Sequence, residues 1–319
     1  MISGGSRFNA PAPASGAGIP GFGPGDTIAG FVNAARSGFR VLAALTKFRI
    51  AALASFSAAT GYCVARRATD SGSAAASLGV LLLAMGACAL NEVQDGRLDA
   101  RMARTRSRPI PSGRVKPLAA LAVSCALLAG GFVVLRGMPG PAALIGLAAV
   151  GWYNGVYTYM KRVTGAAVLP GALIGALPPL IGWAAAGGDP LGPRALALAF
   201  FFFVWQVPHF WLLLMAFEAD YDRAGLPSLA RQFGPARLRR LVFVWMSATA
   251  AVALLLPIYL LVSSPWLASG LVACSVWIAL IAGRLGRRPA GVRGLFQAFR
   301  AINLYALMIM ALLIADALI

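Results

Sequence analysis

Asn91, Asp95 and Asp99 stand four residues apart in a chain of 319 residues that carries only 10 Asp and Glu. On a helix, steps of four at about 100° per residue bring all three onto one face, one turn above another. Directly behind them, the segment Arg97 to Pro109 carries Arg97, Arg101, Arg104, Arg106 and Arg108. Carboxylate and amide oxygens beside a dense guanidinium cluster suit a hard divalent cation that carries a phosphorylated substrate. Mg²⁺ takes a few carboxylates together with substrate phosphate oxygens rather than an all-protein cage. The local alternative is that Asp95 and Asp99 only pair with Arg97 or Arg101. The spacing points to phosphate chemistry at the end of an apolar helix.

A second acidic group, Glu218, Asp220 and Asp222, lies far along the chain. Together with Glu92, Asp95 and Asp99 it accounts for six of the 10 acids, all in two short segments. Loop charge that orients a membrane protein is Lys and Arg, so topology gives no reason for clustered carboxylates. Asn91, Asp95, Asp99 and Asp220 are therefore the candidate metal ligands, while Glu218 and Asp222 serve equally well as partners of Arg223. Lys47, Arg49, Arg101, Arg104, Lys161 and Arg162 are the candidate donors to phosphate oxygens.

These residues need a scaffold, and composition says which. The chain is 59% hydrophobic and 12% charged, with a mean hydropathy of +0.76. Apolar runs near 41–65, 73–92, 117–135, 141–160, 165–186, 195–217, 241–262, 265–283 and 298–318 are each long enough to cross a hydrocarbon core of about 30 Å. The expectation is an all-α integral membrane fold with nine transmembrane helices over residues 41–319. Loops that share a side with the N-terminus hold 18 of the 28 Lys and Arg, and the opposite loops hold only Arg66, Arg67, Arg136 and Arg194. That asymmetry predicts a cytoplasmic N-terminus and puts both acidic segments, Lys161 and Arg162 on the cytoplasmic side. The net charge of +18 then answers to anionic lipid head groups, not to nucleic acid.

Residues 1–40 are rich in Gly, Ala, Pro and Ser and lack a continuous apolar core, which excludes a secretory signal peptide. They read as a disordered cytoplasmic tail, with an organelle transit peptide as the alternative, so a bacterial inner membrane is favoured over a mitochondrial one. Cys63, Cys88, Cys125 and Cys274 are widely separated in apolar spans, and the chain has a single histidine. A disulfide framework or thiolate metal site is excluded, and the four are expected to be small buried side chains.

Read in order, several segments resemble the UbiA-type intramembrane prenyltransferases and, within them, the protoheme IX farnesyltransferase (heme O synthase) branch. The superfamily pattern Asn-x-x-x-Asp-x-x-x-Asp is matched by Asn91 to Asp99, and Met102-x-Arg104-Thr105-x-x-Arg108-Pro109 is similar to the branch's extension. So are Tyr157 to Thr164, Gly175 to Trp183, Trp205-Gln206-Val207-Pro208-His209-Phe210-Trp211, and Asp220-Tyr221-x-x-Ala224-Gly225-x-Pro227. Thr46-Lys47-Phe48-Arg49 resembles the first-helix motif, with Phe48 where the branch has proline; Tyr159 replaces a second proline, and Ser228-Leu229-Ala230 a Met-Leu-Pro run. The resemblance covers roughly residues 41–318.

The resemblance implies a helical bundle around a central cavity. There the farnesyl group of farnesyl diphosphate is transferred to a vinyl group of heme b with addition of water, giving heme O and diphosphate. Mg²⁺ held by Asn91, Asp95, Asp99 and Asp220 would stabilise the departing diphosphate, with Lys47, Arg49, Arg101, Arg104, Arg108, Lys161 and Arg162 adding fixed positive charge. Tyr157, Trp205 and Trp211 offer aromatic faces to an allylic cation. His209 reads either as a heme contact or as an imidazole hydrogen-bonded across helices. Pro178-Pro179 is expected to break the fifth span and open the cavity, and Gly171 and Gly175 to permit close helix approach. Implied partners are membrane lipids, heme A synthase and cytochrome oxidase assembly factors.

Two other readings compete. A prenyltransferase with another aromatic or quinone-precursor acceptor would keep the diphosphate site, but the Trp205–Trp211 motif argues against it. A transporter would show internal repeats or a polar path through the midplane, whereas the acids here gather at helix ends.

Overall fold

The computed structural model describes residues 36–227, 229–287 and 291–319, and its compact body runs from Val41 to Ile319. The expected disordered tail, over residues 1–35, lies outside the described residues. The described chain is helical: α1 (Phe48–Arg66), α2 (Ser71–Asp99), α3 (Pro117–Arg136), α4 (Ala142–Val150), α5 (Thr158–Val163), α6 (Val168–Ala185), α7 (Pro193–Ala216), α8 (Glu218–Arg223), α9 (Leu229–Leu255), α10 (Pro265–Arg287) and α11 (Val292–Leu318).

Eight helices are long and apolar enough to cross a membrane among the described residues, one fewer than the nine spans expected. The missing one is the fourth. Between α4 and α5 the backbone widens into a π-helical segment, Gly151–Tyr157, so residues 142–163 follow one helical path with a change of winding. Local widening of this kind is common at functional sites, because it turns side chains off the regular 3.6-residue register. Here it sets Tyr153 over Tyr157, ring centroids 5.9 Å apart. It also buries Asn154, whose side-chain amide donates to the Ala87 carbonyl and to Gln94 Oε1, each at 3.0 Å.

The bundle is an integral membrane fold, with large apolar side chains such as Leu118, Val133, Leu144 and Phe200 turned outward to where lipid tails lie. Its interior contacts rely on small residues. A Cβ at Gly182 would sit 1.9 Å from the Ala58 carbonyl oxygen, and one at Gly61 would sit 2.0 Å from that of Pro179, so α1 and α6 cross backbone to backbone. Pro178 and Pro179 do not break α6, which runs unbroken from Val168 to Ala185 with both inside it. Neighbouring helices support a proline-containing span. Gly171 and Gly175 do permit close approach, to the Tyr157 ring and to the Gln206 amide.

Helix ends are set locally. Asp70 caps α2 by accepting the Ser73 N–H at 3.1 Å, and Pro117 and Pro193 open α3 and α7, where a missing N–H costs nothing. Before α1 the chain turns at Lys47, which adopts the left-handed conformation (φ 48°), so the direction changes there with Phe48 in place of proline. Cys63 and Cys88 are buried as expected, but Cys125 is exposed and Cys274 partly so; both lie on helices with one face turned to lipid, where a small thiol is harmless.

Candidate active site

The last turns of α2 carry the ladder inward: Asn91, Asp95 and Asp99 are 2%, 3% and 4% exposed and face one cavity of about 180 Å³. Lys47, Arg104, Arg108, Tyr153, Tyr157, Lys161, Phe210 and Tyr221 complete much of its wall. A larger apolar groove of about 680 Å³ between α6, α7 and α9 shares no residue with it and holds no charged side chain.

Every ladder residue meets a cation from elsewhere in the chain. Lys47 Nζ donates to Asn91 Oδ1 at 2.8 Å, and Asn91 Nδ2 donates to Asp95 Oδ2 at 2.9 Å and to Thr158 Oγ1 at 3.0 Å. Lys161 also pairs with Asp95 Oδ2, while Arg162 Nη2 lies 2.9 Å from Asp95 Oδ1. Arg108 Nη1 lies 2.6 Å from Asp99 Oδ2. The local alternative, pairing with Arg97 or Arg101, is therefore not what the structure shows for either aspartate. Buried carboxylates need such partners, because an unpaired charge in a low-dielectric interior is strongly disfavoured.

Asp220 is buried too, but its oxygens are turned to the α2–α3 loop and to its own helix. Oδ2 accepts the Arg104 backbone N–H at 3.2 Å, and Oδ1 accepts from Arg223 at 2.5 Å. Arg223 thus takes Asp220 and not Glu218 or Asp222. The Arg104 guanidinium lies 4.8 Å from the centroid of the Phe217 ring, and the Lys161 ammonium 5.8 Å from that of Tyr157. Burial pushes the Tyr221 phenol up from its ordinary value, with Arg104 and Arg108 pulling the other way, so it faces the cavity as a neutral donor.

Not every sequence candidate reaches this cavity. Arg49 and Arg101 are exposed and line none of it. Trp205 Nε1 donates to the Ile302 carbonyl at 2.9 Å, and Trp211 is buried edge-on against Trp245, so both turn toward the second half of the bundle. His209 stands between Trp205 and Phe299, its ring centroid 5.1 and 4.8 Å from theirs. Its Nδ1 lies 2.8 Å from Asn303 Oδ1, and Asn303 Nδ2 donates to the Phe299 carbonyl at 2.6 Å. With the Asn303 amide so oriented, its oxygen accepts from Nδ1 of the imidazole.

Phe210, stacked 6.1 Å from Tyr157 by ring centroids, and Thr158 were not singled out from sequence, although both lie inside quoted motifs. No arithmetic of spacing marks them, since their role comes from helices that meet only in space. The oxygen set suits Mg²⁺: two carboxylates and an amide face a cavity ringed by cations. Among the described residues no group of three or more His, Cys, Asp or Glu is placed to hold a metal ion by itself.

The UbiA prenyltransferase family matches residues 54–314. A protoheme IX farnesyltransferase of Oleidesulfovibrio alaskensis is 36% identical over 284 residues, spanning 88% of this chain and 97% of that protein. One from Geobacter sulfurreducens is 43% identical over 228 residues, spanning 69% and 83%. Among solved structures, a digeranylgeranylglyceryl phosphate synthase superposes with a TM-score of 0.71 at 16% identity, covering 88% of this chain and 98% of that one. A UbiA homologue from Archaeoglobus fulgidus bound to GPP and Mg²⁺ superposes with a TM-score of 0.60 at 14% identity, covering 86% and 99%. Identities this low speak for the shared fold.

Proposed function

We propose that this chain, which belongs to the UbiA prenyltransferase family, is a protoheme IX farnesyltransferase that uses farnesyl diphosphate and heme b and works with Mg²⁺. The observation that carries the diphosphate half is the convergence of Asn91, Asp95, Asp99, Lys47, Arg108 and Lys161 on one cavity at the end of an apolar bundle. The acceptor half rests on relatives of that name that match most of the chain. The Mg²⁺ and GPP bound by the fold neighbour from Archaeoglobus fulgidus support the metal and the prenyl diphosphate class.

Asn91, Asp95 and Asp99 would hold Mg²⁺, which supplies Lewis-acid neutralisation of charge growing on the diphosphate. Lys47, Arg104, Arg108 and Lys161 bind the phosphate oxygens and stay fixed while the carbon–oxygen bond breaks, the electron pair leaving with diphosphate. Tyr157 and Phe210 wall the prenyl side, face the allylic cation and keep water from it. The vinyl carbon of heme b then takes the farnesyl carbon, and water adds to the adjacent electron-poor carbon with loss of a proton. Asp220 holds the Arg104 backbone in place through Oδ2, and the lone pairs left on its carboxylate keep it as the fourth proposed metal ligand. His209, packed between Trp205 and Phe299, is the residue proposed to serve the heme side.

The test is direct. Membranes containing the chain, given heme b, farnesyl diphosphate and Mg²⁺, should convert heme b into a product heavier by one farnesyl group and one hydroxyl group, read by mass spectrometry of the extracted pigment. Heme b recovered unchanged, with prenylation of a different acceptor instead, would overturn the assignment.

A further inference from the structure

We propose that Glu92, which lines no part of the cavity, is the positioning residue that sets the arginine-bearing loop between α2 and α3 onto the diphosphate site. The inference rests on the diphosphate reading above. Glu92 is completely buried, its Oε1 accepts the Ile110 backbone N–H at 3.0 Å, and its Oε2 has no partner. A carboxylate in such a place is disfavoured unless its acceptor strength is needed.

The geometry shows what it is needed for. Glu92, Gly96 and Asp99 lie at i, i+4 and i+7, one face of α2 beside the ladder face. The loop folds back antiparallel along that face. Thr105 Oγ1 donates to the Asp99 carbonyl at 2.8 Å and Arg108 pairs with the Asp99 carboxylate. Farther back, a Cβ at Gly96 would sit 3.3 Å from Ile110 Cγ2, and Ile110 ends on Glu92. The two anchors are thus about 10 Å apart along the helix axis, which removes the loop's freedom to swing about Asp99. Arg108 stands two residues before Ile110 at the Glu92 anchor, and Arg104, its backbone N–H held by Asp220, stands next to Thr105 at the other. Glu92 acts on substrate only through where these two guanidinium groups stand.

The experiment measures binding of farnesyl diphosphate with Mg²⁺, and separately of heme b, to the purified full chain, with thermal unfolding as the check on folding. Glu92→Leu should weaken farnesyl diphosphate by about tenfold or more, since displacement of a positioned group by about 1 Å is costly, with heme b affinity unchanged. Glu92→Gln keeps a side-chain oxygen for Ile110 and should bind farnesyl diphosphate within about threefold of the unmodified chain. Should Glu92→Leu not fold, Glu92→Asp, which withdraws the acceptor by one methylene, carries the same expectation. Unchanged farnesyl diphosphate affinity in Glu92→Leu or Glu92→Asp would overturn the inference, as would equal loss for both substrates that Glu92→Gln fails to rescue. An unmodified chain that does not bind farnesyl diphosphate would instead overturn the functional reading beneath it.

Discussion

Arg108 Nη1 lies 2.6 Å from Asp99 Oδ2, nine residues back along the chain, and one helical turn away Asp95 is held by Lys161 and Arg162. Each ladder aspartate is therefore neutralised by cations from segments that also line or border the cavity. An ion pair of this kind offsets the cost of burying a carboxylate away from water. It also means that a metal–diphosphate pair entering the cavity exchanges partners with groups already present, cation to phosphate and carboxylate to metal. Little new charge has to be buried.

Asp95→Ala and Asp99→Ala should each lower turnover by two or more orders of magnitude, on the order of what loss of a positioned electrostatic group costs, while the protein still inserts and folds. Chelation of divalent cations should abolish turnover of the unmodified chain, and added Mg²⁺ should restore it. Near-normal activity in well-expressed Asp99→Ala at saturating Mg²⁺ would remove the ladder from the chemistry.

Lys161→Gln should weaken farnesyl diphosphate use and leave heme b affinity nearly intact, because Lys161 borders the charged cavity and stands over Tyr157. His209→Ala should do the reverse, and Asn303→Ala should mimic it in part by freeing the imidazole that Asn303 now orients. Apparent affinities for both substrates in the three variants check the division. Intact heme affinity and turnover in His209→Ala would make His209 a packing residue.

Gly182→Ala should destabilise the bundle by about 1–3 kcal/mol, since its methyl has no room against the Ala58 carbonyl. Gly283→Ala, in α10 with nothing within 4 Å of the added carbon, should be neutral or stabilising by up to about 1 kcal/mol. Thermal unfolding of the two variants side by side in detergent gives the comparison, and equal effects would show that the backbone crossing of α1 and α6 does not limit stability.

Cysteines introduced at Arg106 and Ala236, in a chain with Cys125 and Cys274 replaced, should react only with reagents applied from the cytoplasmic side. One at Asp189 should react only from the opposite side. The expectation follows from the Lys and Arg asymmetry of the loops. Labelling at position 106 from the outer face would invert the orientation and the side of the membrane from which diphosphate must arrive.

What the sequence determined by itself was whatever depends on neighbours along the chain. The four-residue steps of Asn91, Asp95 and Asp99 put them on one face whatever the rest of the fold does, and about 20 apolar residues in a row make a span because unpaired backbone groups are excluded from hydrocarbon. The motifs carried the family. The tertiary structure decided the pairings: Lys47 with Asn91 across 44 residues, Lys161 with Asp95 across 66, and Asn303 with His209 across 94. It also turned Asp220 to the Arg104 backbone, made residues 151–157 π-helical and left Trp205 and Trp211 outside the cavity. Those outcomes follow from how helices cross. The crossings are set by small residues such as Gly61 and Gly182 that let two backbones touch, a property of surfaces meeting in space that no spacing along one chain records.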